Sequence, residues 1–192
     1  MEPVIRGWTI PDEPGTFQRK MSKSTRSLPR APRAIEILAF PSVQLLDVSG
    51  PLQVFATAND IAVQSGGAPP YAPCVVARGE VIASAGLGIT AERLPPIGAP
   101  LDTLIIAGGE GVQAASADLE LVDWVRARTE QARRVASVCT GAFLLAATGL
   151  LDGRRAATHW SLCSEFARKF PMVHVEADPI FVCDGRIWTS AG

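Results

Sequence analysis

The sequence has no apolar run approaching the ~18 residues that a membrane-spanning helix needs. It also lacks a basic excess, since its formal net charge is −1, whereas proteins that bind nucleic acid neutralise phosphates with many lysines and arginines. Hydrophobic residues make up 47% and charged residues 19% of the 192 residues. The composition therefore predicts a globular domain that neither crosses a membrane nor contacts DNA by itself.

The sequence is equally poor in cofactor motifs. Its four cysteines, Cys74, Cys139, Cys163 and Cys183, form no C-x-x-C pair, and no His/Cys spacing fits a metal. A Gly-rich phosphate loop and paired carboxylates are also missing. We predict no metal and no cofactor, and we place the chain in the reducing cytoplasm because a domain of this size needs no disulfide bonds.

The first 33 residues differ from the rest of the chain. They hold five prolines and seven Lys/Arg against three Asp/Glu, without an apolar stretch long enough for a secretory signal. We predict a disordered extension over residues 1–33 and one folded domain over residues 34–192, with no internal repeat.

Apolar runs alternate with helical patterns along this domain. We predict strands at 34–40, 71–77, 102–107 and 134–138, helices at 51–63, 118–131, 142–148 and 161–170, a hairpin within 80–92, and short strands at 173–175, 180–182 and 186–188. Such alternation is typical of an α/β domain whose mostly parallel sheet is covered on both faces.

Cys139 is the main chemical candidate. It lies between a predicted strand and an apolar helix, and Ser137 and Gly141 are small enough for a sharp strand-to-helix turn of the nucleophile-elbow kind. The N-terminus of the following helix would favour the thiolate and lower the pKa of Cys139. The alternative is a small buried hydrophobe, and this packing role is the one that we predict for the other three cysteines.

Two further loops, which carry Asp47 and Gly108-Gly109, join Cys139 in the predicted site, because ligands of open α/β sheets bind at the carboxyl ends of the strands, and His159 before the next helix is an additional candidate. Asp47 serves there as an acid or base, or else only caps the next helix. Gly108 and Gly109 offer backbone N–H groups to an anion, or else form an ordinary turn. His159 is a base or ligand contact, or else bonds locally beside Trp160.

With these residues in place, the sequence resembles the ThiJ/PfpI superfamily over about residues 34–192. The segments that carry the resemblance are FPSVQLLDVSGPLQVF, IIAGGEGV, SVCTGAFLLAATGLLDGRRAATHW and DPIFVCDGRIWTSAG. The resemblance implies a flavodoxin-like three-layer sandwich. It is strongest to the amidase-like sensor domain of GlxA-type regulators of the AraC family, and isocyanide hydratases are the nearest enzymatic relatives.

Transferred by motif, Cys139 would be the nucleophile and Asp47 the acid/base, with the Gly109 and Thr140 backbone groups beside the developing charge. The resemblance also implies a homodimer. We predict a ligand-sensing domain that binds a small metabolite near Cys139, in preference to an enzyme. The alternatives are a cysteine-dependent hydratase or small-amide hydrolase, and a redox-responsive domain in which Cys139 is oxidised.

The chain stops directly after its last predicted strand, without the closing helix of the family. We therefore expect a domain that is truncated at its C-terminus, and DNA contact only through a helix-turn-helix domain that this sequence does not contain.

Overall fold

The apolar runs form the central sheet of the computed structural model, which describes residues 31–192. The strands are β1 (Arg33–Leu38), β2 (Tyr71–Ala77), β3 (Val81–Ile82), β4 (Gly88–Ile89), β5 (Glu92–Arg93), β6 (Thr103–Ile106), β7 (Arg134–Ser137), β8 (Arg155–Ala156), β9 (His174–Val175), β10 (Phe181–Asp184) and β11 (Ile187–Ser190). The predicted disorder of the N-terminal extension concerns residues that lie, except for its last three, outside the described range.

The helices are α1 (Leu45–Gln64), α2 (Val112–Ala117), α3 (Leu119–Gln131), α4 (Gly141–Ala147) and α5 (Cys163–Lys169), with a 3₁₀ turn at Trp160–Leu162. Seven strands form one sheet in the order β10-β11-β7-β6-β1-β2-β5. All neighbours in it are parallel except β10 and β11. The mostly parallel α/β sheet that the alternation predicted is thus present.

Helices cover both faces of the sheet. Successive side chains of a strand point to opposite faces, and Glu36 of β1 contacts Arg128 of α3. Tyr71 pairs in register with Arg33, an odd number of residues from Glu36, and packs edge-on against Phe55 of α1. Since 33 and 36 lie on opposite faces, α1 and α3 lie on opposite sides of the sheet.

The sequence patterns located the elements better than their ends. Helix α1 begins at Leu45, before the predicted start at residue 51, and continues through Pro51. Helix α2 was not predicted at all. Cys163 is buried and Cys74 partly buried, as packing roles require, but Cys183 is exposed on the edge strand β10. The predicted packing role of Cys183 is therefore wrong.

Register brings the three functional loops together. Leu38 of β1 pairs with Ile106 of β6, and Ile106 pairs with Ser137 of β7. The three neighbouring strands therefore end level with one another, and the segments that follow them emerge at the same edge. This edge includes the point between β1 and β6 where the chain changes direction across the sheet, which is where open α/β sheets bind ligands.

A buried ion pair fixes α3 to the centre of the sheet. The Arg128 side chain is fully buried and Glu36 is 3% exposed. The guanidinium contacts both carboxylate oxygens of Glu36 and also donates to the Ala99 carbonyl at 2.8 Å and to the Gln131 amide oxygen at 3.0 Å. Burying two charges is costly unless each finds such partners.

We predict that Glu36→Leu lowers the free energy of unfolding by about 3–5 kcal/mol, because the Arg128 charge would remain buried without its counter-charge. The double variant Glu36→Leu/Arg128→Met should recover much of this loss, since it leaves no unpaired charge. Urea denaturation followed by circular dichroism measures both. A double variant less stable than the single one would contradict this account.

Candidate functional site

Cys139 occupies the tight turn between β7 and α4. Its φ of +54° makes it one of two non-glycine residues with positive φ in the described chain, a strained conformation that surrounding contacts must hold. The Val138 amide donates to the Ile106 carbonyl at 3.0 Å, and the Gly141 amide donates to the Val138 carbonyl at 2.9 Å. The predicted strand-to-helix turn is present, with the thiol partly exposed.

Asp47 lies in the first turn of α1, on the side of Cys139 that faces away from the cleft. The side chain is buried, and its Oδ2 accepts a hydrogen bond from the Gly108 amide at 3.0 Å. It does not cap the helix, since Gln44 is the N-cap residue. Burial raises the pKa of Asp47, although the Gly108 amide, His159 and the Cys139 thiol act in the opposite direction.

Gly108 and Gly109 close the site from the β6 side. A Cβ on Gly108 would lie 2.7 Å from the Thr140 nitrogen and 2.8 Å from Asp47 Oδ2, and Gly109 has a φ of +139°. Only glycine fits both positions. The Gly109 amide donates to Thr140 Oγ1 at 2.8 Å, so both glycine amides have partners inside the protein. The predicted use of these two N–H groups for an anion is not available in this arrangement.

The segment that carries His159 is held beside Cys139 by a hydrogen bond of the preceding residue, Thr158. Thr158 Oγ1 donates to the Cys139 carbonyl at 3.0 Å, which ties this segment to the turn. The Nδ1 of His159 is 2.8 Å from Ser161 Oγ, and the ring lies beside that of Trp160. The predicted local hydrogen bond beside Trp160 is therefore present, and the role of His159 as a base or ligand contact stays a prediction.

These residues surround a cleft of about 620 Å³. Of the predicted site residues, Cys139, Thr140, Gly109 and His159 line it, whereas Asp47 and Gly108 lie behind the cysteine. Sequence reasoning missed the other lining residues, which are Gln44, Ser84, Glu110, Val112, Gln113, Ser161, Leu162 and Glu165. Glu110 follows the predicted glycine pair directly and could have been found from that signal; the others come from scattered segments.

The electrostatics of Cys139 differ from the prediction. Burial is the largest cause that raises the pKa of this thiol, and the negative charge of Asp47 raises it further. Hydrogen bonds from Thr140 lower it without reversing the direction. The predicted net lowering of the pKa is therefore wrong, because burial and the negative charge of Asp47 outweigh the donors at the start of α4.

Neither a metal site nor a membrane span was found in residues 31–192. No group of three or more His, Cys, Asp or Glu side chains there could hold a metal ion. None of the helices in that range combines the length and apolarity needed to cross a membrane.

Comparison with known proteins identifies relatives of two kinds, proteins that include an isonitrile hydratase and transcriptional regulators. The model of the DJ-1/PfpI family matches residues 33–192. An uncharacterized protein from the cpoL 5' region of Streptomyces lividans is 39% identical over 141 residues, covering 73% of this chain and 96% of that protein. Isonitrile hydratase of Pseudomonas putida is 39% identical over 131 residues, covering 66% and 52%.

The second kind comprises regulators. The HTH-type transcriptional regulator GbdR of Pseudomonas aeruginosa is 36% identical over 113 residues, which is 59% of this chain but only 30% of that protein. A regulator named GlxA also matches, as the resemblance predicted. The chain thus spans about half of the hydratase and a third or less of GbdR.

Solved structures confirm the fold. A ThiJ/PfpI family protein from Pseudomonas syringae has a TM-score of 0.71 at 26% identity and covers 93% of this chain and 70% of that one. An AraC family transcriptional regulator from Pseudomonas putida has a TM-score of 0.66 at 17% identity, with 84% of each chain covered. The flavodoxin-like α/β fold is shared with both.

We predict that Asp47→Asn makes Cys139 more reactive at pH 8. In the wild type, alkylation by iodoacetamide should rise with pH through a midpoint above the ordinary 9.0, because the thiolate is the reactive form. Removing the adjacent negative charge should move this midpoint down and accelerate alkylation several-fold at pH 8. Intact-mass spectrometry with peptide mapping follows the reaction.

Asp60→Asn is the matched control, because it removes an equal charge from an exposed position of the same helix. It should leave the profile of Cys139 unchanged. If Asp47→Asn leaves the pH profile of Cys139 alkylation unchanged or moves it to higher pH, Asp47 does not raise the pKa of Cys139 as described.

Proposed function

The chain belongs to the DJ-1/PfpI family, and within that family we propose that it is the ligand-sensing domain of an AraC-type transcriptional regulator. It binds a small metabolite in the cleft beside Cys139, in the cytoplasm, and DNA is contacted by a separate domain. The cleft itself carries this proposal: its volume of about 620 Å³ suits a small molecule, and regulators are among the relatives.

The hydrogen bonds around Cys139 favour binding over turnover. A nucleophile that attacks an electrophilic carbon needs a thiolate and donors that stabilise the developing charge. The pKa of Cys139 is raised by burial and by Asp47. The Gly108 and Gly109 amides already donate to Asp47 and Thr140. In this role Cys139 lines the pocket and contacts the ligand.

A second candidate function is isonitrile hydration, and the contact between Cys139 and Asp47 favours it. The sulfur would attack the terminal carbon of R–N≡C while its proton passes through Asp47 to that carbon, which gives a thioimidate. Water then adds to the carbon, the C–S bond breaks, and the thiol is restored as R–NH–CHO leaves. The 39% identity to isonitrile hydratase supports this alternative.

Helix α1 supports a homodimer. Of the residues in α1, only Asp47 and Val48 are buried. The large apolar side chains of Leu46, Val54 and Ile61 are 72%, 65% and 58% exposed. At 100° per residue these three side chains fall within about 80° of one another, so they lie on one side of α1, with Gly50 and Thr57 between them; we call this row the apolar stripe. Such a stripe is typical of an interface, and two copies of α1 can bury it against each other.

We predict that the wild type gives no N-butylformamide from butyl isonitrile, and that small metabolites bind instead. A screened metabolite at a hundredfold excess over its dissociation constant should raise Tm by about 5–10 °C. It should also slow alkylation of Cys139 but not of the exposed Cys183. Gas chromatography, thermal shift and peptide mapping are the three measurements.

The control for turnover is Cys139→Ala. If the wild type produces the formamide and this variant does not, the result would contradict the sensing role and support the hydratase role. Formamide produced equally by both would exclude Cys139 as the nucleophile, and a metabolite panel without protection of Cys139 would contradict ligand sensing.

We predict that Val54→Glu converts the dimer into a monomer, because it places a charge in the centre of the apolar stripe. Light scattering coupled to size-exclusion chromatography reports the mass. Ile97→Glu is the matched control, since Ile97 is 57% exposed in a loop outside α1 and should not change the mass. A monomeric wild type, or equal effects of both substitutions, would contradict an interface at α1.

A further inference from the structure

The cleft beside Cys139 is lined by two carboxylates and by no lysine or arginine. Glu110 follows the glycine pair after β6, and Glu165 lies in the first turn of α5. His159 is the single basic side chain among the residues that line the cleft. Asp47 adds a third carboxylate behind the Cys139 sulfur. A ligand in this cleft therefore meets an excess of negative charge.

The carboxylates of the cleft differ from most others in the described chain because arginine does not pair with them. The acidic residues that form ion pairs, each with an arginine, are Glu36, Asp102, Asp118, Glu120, Asp123, Glu176 and Asp184. Glu110, Glu165 and Asp47 are not among them. Glu110 and Glu165, which line the cleft, can therefore interact directly with an occupant.

Lys169 forms no direct ion pair with Glu165. Lys169, one helical turn further along α5, donates instead to the side-chain oxygen of Gln113 at 2.6 Å. The amide nitrogen of Gln113 then donates to Glu165 at 3.3 Å. Gln113 thus stands between the two charges, and Glu165 receives a neutral donor that holds its oxygen at the rim.

The same cleft offers little to an anion. The Gly108 and Gly109 amides are bonded to Asp47 and Thr140, and the Thr140 amide is directed at the Cys139 sulfur. A ligand carboxylate would therefore meet Glu110 and Glu165 with no amide of the glycine pair free to compensate, and like charges in a partly enclosed site repel each other.

A second hollow extends the acidic surface. It has a volume of about 310 Å³, is lined by Glu80 and Ser42, and shares Ser84 and Glu110 with the main cleft. Glu110 therefore lies at the junction of the two hollows. A positive group bound at this junction would interact with Glu110 from either side.

We propose that the cleft selects small organic cations, bearing an ammonium or amidinium group, over carboxylates, with Glu110 and Glu165 as its specificity-determining residues. This inference rests on the proposed function, since it takes the cleft as the ligand site. It adds the charge class of the ligand, which the family relationship does not supply.

Two thiol reagents of opposite charge test the proposal on the unmodified chain. Trimethylammonioethyl and sulfonatoethyl methanethiosulfonate transfer their thioalkyl groups to a thiolate by the same exchange, with methanesulfinate as leaving group. Because both need the same thiolate, the ratio of their rates at Cys139 reports local charge and not its pKa. The exposed Cys183 of the same molecule is the internal reference, read by peptide mapping.

We expect the cation-to-anion rate ratio at Cys139 to exceed that at Cys183 by about tenfold or more at low salt, and to shrink as salt is added. Glu110→Gln and Glu165→Gln should each reduce the ratio. Glu130→Gln, an equal charge change at an exposed position of α3, should not. Equal ratios at the two cysteines, or a faster anionic reagent at Cys139, would overturn the proposal.

A thermal-shift comparison of an ammonium and a carboxylate fragment, butylammonium and butyrate, separates this inference from the proposed function. Stabilisation by butylammonium alone supports both. Stabilisation by butyrate overturns the charge selection but leaves ligand sensing intact. A strong cation preference at Cys139, combined with a metabolite panel in which no compound protects the thiol, would overturn sensing while the charge selection stands.

Discussion

The hydrogen bond between the Gly108 amide and the buried Asp47 carboxylate is the contact on which the site depends. It joins the loop after β6 to the first turn of α1, and a second bond, from the Gln44 amide to the Gly108 carbonyl at 2.8 Å, runs the other way. Burial is the largest cause that raises the pKa of Cys139, and the carboxylate held there raises it further. One buried acid thus joins two loops and contributes to the electrostatics of the thiol.

The sequence predicted those features of the fold that depend on neighbouring residues in the chain, such as strands and tight turns. Apolar runs located the long strands, and the small residues around Cys139 predicted its turn, because a strand-to-helix turn is encoded by its own residues. The start of α1 was predicted too late, at residue 51, because proline is favoured in the first turn of a helix, whereas the helix already begins at Leu45. The pKa of Cys139 was predicted with the wrong sign because burial and the position of Asp47 arise only from the tertiary fold. The cleft residues Ser84 and Glu165 were missed for the same reason.

The same arrangement accommodates the two kinds of relative. Turnover requires the proton of Cys139 to leave the sulfur and donors to face a developing charge. In the second candidate function Asp47 would accept the proton, but the Gly109 amide already donates to Thr140 Oγ1. Rotation of one threonine side chain would release that amide. The two proposed roles of this cleft would therefore differ by a small side-chain rearrangement.

In the proposed homodimer, helix α1 would connect the cleft to the partner subunit. Gln44 lines the cleft and precedes the helix, Asp47 lies in its first turn, and the apolar stripe begins at Leu46. A ligand can shift the geometry of two α1 helices only by as much as its affinity differs between their arrangements. The contacts that differ must involve the loop at Gln44, because this loop is the one part of the cleft that continues directly into the helix. In such a sensor, the arrangement of the two α1 helices would depend on how the ligand contacts the start of α1, while Cys139 would line the pocket without moving.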